Sequence, residues 1–214
     1  MEHGVKPSRS YRSPRRRAQA EATRALIAEA ARTSFVARGY VATTLADIAA
    51  AAGVAVPTVK LAYGTKSALL RAAWDRAVSS GPDPRPLHER EWFVDMLATE
   101  DPREHLRLKV LGSVSISAQV APLVEVIRTA SQVDPEVATL WEQLQGESRD
   151  LQRQTVRALR RLGALRDDLS GEEAADMLYP LNHGTYHTLV GRLGWQPERY
   201  RRWLTDTLIQ QLLH

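Results

Sequence analysis

Apolar residues recur at the three-and-four spacing of an α-helix along almost the whole chain, and no stretch shows the alternation of a half-exposed strand. Proline and glycine divide this pattern into separate helices. The predicted helices cover 18–37, 44–52, 56–63, 65–78, 87–98, 102–119, 122–131, 134–163, 170–193 and 197–212, with a kink at Pro180. The expected fold class is therefore all-α.

The segment 44–64 predicts two short helices joined by a tight turn. Thr44 and Asp47 have the spacing of a helix-capping pair. Gly53 supplies a left-handed stop, and Pro57 falls in the first turn of the next helix, where no hydrogen bond is lost. Two helices with so short a turn must cross steeply, as in a helix-turn-helix that inserts its second helix into DNA.

The preceding helix completes a three-helix unit. It carries an apolar stripe over 18–37 and is followed by Gly39, a helix terminator. The stripe is expected to cover the inner faces of the two short helices. The predicted core residues of this unit are Leu26, Phe35, Leu45, Ile48 and Val59.

In this region the chain resembles the DNA-binding domain of the TetR (tetracycline-repressor-like) family of bacterial transcription regulators. The residues that match the family pattern in one ungapped register are Thr44, Leu45, Ile48, Ala49, Ala52, Gly53, Val54, Thr58, Val59, Tyr63, Gly64, Thr65, Lys66, Leu69 and Leu70. Three positions depart from it. Ala55 replaces the usual serine cap, Lys60 stands where a tyrosine commonly contacts phosphate, and Ala62 stands where a polar or aromatic residue is frequent.

The resemblance covers about 21–78 by motif, and the remainder fits the family in length and helical pattern. It implies an N-terminal helix-turn-helix domain, 18–80, and a C-terminal helical bundle, 87–214, that binds a small-molecule effector and forms a homodimer. The physical case for a dimer is that one helix-turn-helix reads few bases, whereas two related by a two-fold axis read a palindromic operator. The expected interface residues are Leu189, Val190, Leu193, Trp203, Leu204, Leu208 and Leu212.

Two groups of residues are expected to contact double-stranded DNA. At the start of the second short helix, the residues expected to reach base edges are Val56, Pro57, Lys60 and Leu61. Those placed for phosphates are Thr43, Thr44, Thr58, Tyr63 and Lys66. Phosphate contacts position a protein on the duplex, so sequence selectivity is expected to come from the first group.

Charge is divided unevenly along the chain. Residues 1–76 hold 13 Lys and Arg against 5 Asp and Glu, while 77–214 hold 16 against 20, so the positive charge belongs to the half with the helix-turn-helix. Positive charge there favours nucleic acid. Residues 1–17 are rich in Ser, Pro and Arg and predict a disordered basic arm, which either lies along DNA or is an ordinary solubilising tail.

An effector site is expected in the second domain, where aromatic and polar residues recur on several helices. The resemblance implies a pocket between these helices, and a mixed lining suits an amphipathic molecule. The expected ligand-binding residues are Trp92, Met96, His105, Trp141, Tyr179, Asn182, His183, Tyr186 and His187. Ordinary core and surface roles for the same residues remain open.

Two other classes of function stay open at this level. His183 and His187 stand four residues apart, the spacing of a zinc pair, and would suit a helical metal-dependent enzyme. However, no catalytic motif or phosphate loop accompanies them, so no enzyme, cofactor or metal is expected. A DNA-binding architectural protein without an effector would share the first domain. The chain has no cysteine, no signal-like start and no long apolar run, so a cytoplasmic protein with no membrane span is expected.

Overall fold

The computed structural model describes residues 14–79, 85–181 and 183–214, and these residues form helices and no strand. The all-α expectation is confirmed. The N-terminal helices are α1 (Pro14–Ala42), α2 (Leu45–Ala51), α3 (Val56–Tyr63) and α4 (Lys66–Ser79). After a short 3-10 turn at Leu87–Glu89 come α5 (Glu91–Ala98), α6 (Pro102–Ala130), α7 (Pro135–Arg161), α8 (Gly171–Leu178), α9 (His183–Tyr186), a π-helical segment (His187–Arg192) and α10 (Pro197–Leu212).

The boundaries of three predicted helices need correction. Helix α1 begins at Pro14 rather than Ala18, so the last four residues of the predicted disordered arm are helical, while 1–13 lie outside the described residues. Helix α6 continues through Pro122, because burial of the neighbouring Val120, Ala121 and Leu123 offsets the one hydrogen bond that proline removes. The helix that starts after Ser170 ends at Leu178.

The helix-turn-helix forms as its local signals require. Thr44 caps α2, and its Oγ1 accepts a 3.1 Å hydrogen bond from the Asp47 N–H, while the Asp47 carboxylate accepts from the Thr44 N–H at 2.8 Å. Gly53 has a φ of 65°, a left-handed conformation that glycine adopts without strain. Helices α2 and α3 are bent by 106° relative to each other. This angle lies within the range of helix-turn-helix motifs.

Helix α3 lacks a side-chain cap. Its N-cap residue, Ala55, has the extended backbone of an ordinary cap, at φ −74° and ψ 147°, but its methyl group accepts no hydrogen bond. We therefore expect Ala55→Ser to raise the free energy of unfolding in urea by about 1 kcal/mol, since serine satisfies one free N–H of the first turn. A matched control is Ala50→Ser, at an exposed position inside α2, where serine brings no cap and slightly lowers helix propensity. Equal effects of the two serines would contradict a capping role.

The buried side chains form two clusters. The first holds Ile27, Phe35, Ile48 and Val59 from α1–α3 together with apolar residues of α4, α6 and α7. Three of the five predicted core residues are fully buried in it and Leu45 is partly buried, whereas Leu26 is 60% exposed because its neighbour Ile27 occupies the inner face. This cluster joins the N-terminal unit to the long helices. The second cluster lies between α6, α7, α8 and α10.

Helix α6 lies at the centre of the molecule and contributes to both clusters. It is the one helix of the described part of the chain that is long and apolar enough to span a membrane by composition, with a best-window mean hydropathy of 1.7. A central helix of a bundle has the same composition, since it is covered by neighbours on most sides. Here α1, α4, α5, α7, α9 and α10 contact it.

The connector between the two predicted domains is held by Arg90. Its guanidinium is buried and donates to the carbonyl oxygens of Arg85 at 3.0 Å and Val78 at 3.2 Å. The second of these carbonyls belongs to α4, so the residues on the two sides of 80–84 are tied together. The division into two domains at this connector stays a prediction.

Candidate functional site

The outer face of α3 is open to solvent. Pro57 and Lys60 are exposed and Leu61 is 89% exposed, while Val59, on the opposite face, is fully buried in the first cluster. Val56 differs from the prediction, because it is partly buried and packs against this cluster. The geometry therefore offers one cation and two apolar groups, on a helix that its two predecessors support from behind.

Two of the residues predicted to contact phosphate have other roles, and a third is tied to the fold. Thr43 is fully buried, and its Oγ1 donates to the carbonyl oxygen of Gly39 at 2.7 Å, so this predicted contact is wrong. Lys66 Nζ donates to the carbonyl oxygens of Tyr40 at 2.9 Å and Thr43 at 3.2 Å. The Tyr63 hydroxyl donates to the carbonyl oxygen of Arg24 at 2.8 Å. Thr44 is exposed and Thr58 is partly buried.

A cavity of about 1090 Å³ lies among α4, α5, α6, α7, α9 and the π-helical segment. Its volume is that of a site for a drug-sized molecule. Six of the predicted ligand-binding residues line it, and these are Trp92, Met96, His105, Trp141, His183 and His187. The structure brings them together from four different parts of the sequence, and a ligand contact by any of them stays a prediction.

The other three predicted ligand-binding residues are not part of this lining. Tyr186 is buried in the second cluster, where its ring meets that of Tyr200 edge-on at 5.2 Å. Tyr179 lies under the guanidinium of Arg149, 5.0 Å from its ring centroid. These two tyrosines therefore have structural partners away from the cavity. Asn182 lies outside the described residues.

The two most buried histidines of the cavity wall are held by neutral partners. His105 Nδ1 donates to the Met96 carbonyl oxygen at 2.9 Å, which fixes α5 against α6. His183 Nδ1 shares a 2.7 Å hydrogen bond with Ser117 Oγ. Burial lowers the pKa of His105 and lowers that of His183 to about 4, so both imidazoles are neutral at physiological pH. Within the described ranges, no three His, Cys, Asp or Glu residues come together to suit a metal ion.

Sequence analysis missed three polar or aromatic residues of the cavity wall. They are Trp74 of α4, Lys109 of α6 and Gln152 of α7. Lys109 had a detectable signal, because it stands four residues after His105 and so shares its helix face. Trp74 was assigned to the apolar face of α4 in the same way, but its own helix does not reveal that this face borders an empty space.

The Trp92 ring lies directly on α6 at Gly112. A Cβ built on Gly112 would fall 2.3 Å from the Trp92 ring carbons, well inside van der Waals contact. We therefore expect Gly112→Ala to displace Trp92 and lower the free energy of unfolding by about 1–3 kcal/mol, the usual cost of overpacking. The measurement is urea denaturation of Gly112→Ala with and without Trp92→Ala. Without its ring the alanine should cost nothing further, and a cost that persists would refute this packing.

Helix α4 connects the cavity to the N-terminal unit. Its Trp74 lines the cavity, and its Arg71 forms ion pairs with Asp75 at 2.9 Å and with Glu147 of α7 at 2.8 Å. At its start, Lys66 holds the carbonyls between α1 and α2. A displacement of α4 at the cavity would therefore be transmitted to the base of the helix-turn-helix.

A second set of contacts fastens α1 to α7. The Tyr40 hydroxyl donates to the Asp134 carboxylate at 2.8 Å, and Lys66 Nζ lies 4.1 Å from the Tyr40 ring centroid. Burial and the adjacent carboxylate raise the pKa of Tyr40, so its hydroxyl stays protonated and able to donate. Ser67 donates to Glu136 one turn into α7. These bonds make α1, α4 and α7 a connected polar seam.

Three of the residues predicted for a dimer interface are core residues instead. Leu204, Leu208 and Leu212 are buried within the second cluster of the chain itself, so this part of the prediction is wrong. They occupy the inner face of α10, which packs on α6. Leu189, Val190 and Trp203 are partly buried, and Leu193 is 65% exposed. The exposed remainder of the π-helical segment and α10 is what a partner can reach.

Comparison with known proteins agrees with the geometry. Residues 27–73 match the bacterial regulatory proteins of the tetR family, and this match covers α2, α3, most of α1 and the first half of α4. The HTH-type transcriptional regulator TtgR of Pseudomonas putida is 29% identical over 168 residues, which are 77% of this chain and 79% of that protein.

Solved structures share the whole fold. A transcriptional regulator from Saccharomonospora viridis, solved in complex with choline, has a TM-score of 0.69 and 22% identity, covering 92% of this chain and 100% of that one. A TetR-family regulator from a Rhodococcus species has a TM-score of 0.70 and 15% identity, covering 91% and 100%. At such identities the likeness concerns the fold, and it extends through both halves of the chain.

Proposed function

The chain is a transcriptional regulator of the tetR family by its N-terminal domain, and we propose that it works as a homodimeric repressor that a small molecule releases from a palindromic operator. The observation that supports this proposal most directly is the position of α4. It borders the cavity with Trp74 and at its start holds the base of the helix-turn-helix with Lys66. One helix thus contacts both the expected effector site and the expected DNA-binding unit.

DNA binding is assigned to α3. Its exposed Pro57, Lys60 and Leu61 suit a major groove, because apolar groups contact thymine methyls and an ammonium hydrogen-bonds guanine or phosphate. Thr44, Thr58 and Val56 flank this face, while Tyr63 and Lys66 serve mainly to hold it. The uneven distribution of charge along the sequence supports the same end of the molecule.

Dimer formation is assigned to the outward face of the π-helical segment and α10. Leu193 is exposed there, and Leu189, Val190 and Trp203 are partly exposed beside it. Apolar side chains at such positions are explained by contact with a second copy. Two copies related by a two-fold axis would present two α3 helices to successive major grooves.

Effector binding is assigned to the cavity. The complex of the Saccharomonospora viridis regulator with choline supports a small molecule as the occupant of this fold. Release requires that the effector bind more tightly to the conformation that does not fit the operator. A ligand that displaces Trp74 would move α4 and so change the separation of the two α3 helices.

Selection of bound duplexes from random oligonucleotides tests the DNA-binding half of the proposal. The expected result is a short palindrome with two half-sites, and a release screen with small molecules on that palindrome then tests effector binding. Broad binding without a consensus would instead favour the architectural alternative, which needs no cavity. A bacterial regulator of this kind acts on the chromosome, so the proposal places the protein in the cytoplasm.

A further inference from the structure

The cavity contains a cationic side chain without a counterion. Lys109 lies on the wall formed by α6, and among the described residues its ammonium group has no hydrogen-bond acceptor and no carboxylate partner. Burial alone lowers its pKa to about 8. An ammonium group in such a place is costly, because the protein does not replace the water that it has lost. A complementary group from outside the chain would remove this cost.

A second polar group of the wall is also unsatisfied. The side-chain carbonyl oxygen of Gln152 on α7 accepts no hydrogen bond, and the residue is only 8% exposed. Buried acceptors are nearly always paired, so an unpaired one that faces a cavity indicates a place for a ligand's donor. The cavity thus offers two separate polar requirements, an anion for Lys109 and a donor for Gln152.

The other charged groups of the lining do not neutralise Lys109. The three carboxylates of the wall are paired with arginines, Asp75 and Glu147 with Arg71 and Glu125 with Arg128. Cationic side chains outnumber acidic ones six to three along the lining, so the cavity as a whole attracts anions. The body of a ligand would meet aromatic walls at Trp74, Trp92 and Trp141.

We propose that the effector is a hydrophobic aromatic acid, whose anionic group pairs with Lys109 and whose hydroxyl or N–H group donates to Gln152. This inference rests on the proposed function, since it specifies the occupant of the same cavity. The shared chemistry is an aromatic body with one anionic substituent, whether a carboxylate, a sulfonate or an ionised phenol.

Two fluorescent probes that differ only in charge test the inference. 8-Anilinonaphthalene-1-sulfonate carries an anion and an N–H, and N-phenyl-1-naphthylamine has the same rings and N–H without the anion. We expect Lys109→Met to weaken the sulfonate by about tenfold or more, the usual loss for a buried charge partner, and to leave the neutral probe within about threefold. Gln152→Leu should weaken both probes alike, and Lys109→Arg should restore the sulfonate.

Matched controls separate this role from folding. Arg107→Met removes a cation from the same helix, where Arg107 is exposed and outside the lining, and should change neither probe. Lys109→Met should not lower the melting temperature, because it removes an unpaired buried charge. A loss of both probes together with a lower melting temperature would make the role structural and overturn the inference.

The pH dependence gives an independent readout. Between pH 7 and pH 9 the wild type should lose about tenfold in sulfonate affinity, since Lys109 releases its proton over this range, while the neutral probe is unaffected. The histidines of the wall, His105, His183 and His187, ordinarily titrate near pH 6.5, and the facing carboxylates and arginines do not titrate here. A flat sulfonate profile would overturn the assignment to Lys109.

The outcomes distinguish this inference from the function on which it rests. If the neutral probe binds in the cavity and Lys109→Met leaves the sulfonate unchanged, the acidic ligand is refuted while the effector cavity stands. If neither probe binds the wild type, both the acidic ligand and the cavity's assignment as an effector site fail. DNA binding is measured separately and survives either result.

Discussion

Lys60→Glu is expected to weaken operator binding by about 100-fold or more. Lys60 is the one cation on the exposed face of α3, and its side chain extends from the turn that a major groove would receive. Its loss alone removes a base or phosphate contact worth about 1–3 kcal/mol, and a carboxylate adds repulsion from the nearest phosphates. In a dimer each of the two half-sites suffers the same loss, so the effects multiply.

Electrophoretic mobility shift or fluorescence anisotropy at fixed salt measures this effect. Arg103→Glu is the matched control, since it makes the same change in net charge at an exposed position at the start of α6, far along the chain from α3. Lys60→Ala separates two roles. An equal loss on all sequences assigns Lys60 to phosphate, and a loss confined to the operator assigns it to a base. Undiminished binding by Lys60→Glu would remove α3 from the DNA interface.

The helix-turn-helix was predictable from sequence because its signals are local. The Thr44–Asp47 capping pair, the positive φ of Gly53 and Pro57 in the first turn each act within a few residues, and the structure shows all three as expected. The absence of a cap at Ala55 was likewise readable from one position. Such short-range interactions depend little on the rest of the fold.

Errors arose where an assignment needed a distant partner. The spacing of Leu204, Leu208 and Leu212 correctly gives one apolar face of α10, but it does not say whether that face meets α6 or a second chain. In the same way, the residues Thr43 and Lys66 match a family pattern, and only the structure reveals that both serve to bind backbone carbonyls inside the unit.

The cavity shows the same limit for a functional site. Aromatic and histidine residues attracted notice as a class, so Trp92, Trp141 and His183 were found, together with Tyr186, whose ring belongs to the core. Lys109 and Gln152 were missed, because on a sequence they are ordinary polar residues of long helices. Their distinction is the lack of a partner, which depends on five other helices.

Leu208→Ala is expected to lower the free energy of unfolding by about 2–5 kcal/mol, the cost of deleting a buried leucine side chain that neighbours cannot refill. Leu208 is buried beside Tyr200, Leu204 and Leu212 within the chain's own core. Urea denaturation at two protein concentrations separates this loss from subunit dissociation, since only the latter shifts with concentration.

Leu193→Ala provides the contrasting change. Leu193 is 65% exposed on the face assigned to the partner, so its truncation should change the stability of the isolated fold by no more than about 0.5 kcal/mol and instead raise the dimer dissociation constant. Sedimentation velocity over a dilution series measures that constant. If Leu208→Ala dissociated the dimer without destabilising the fold, α10 would turn its apolar face to the partner after all, and the second cluster would have to be redrawn. If neither variant altered dimerisation, the interface would lie on another face of the bundle, and the two α3 helices would need a different route to a common operator.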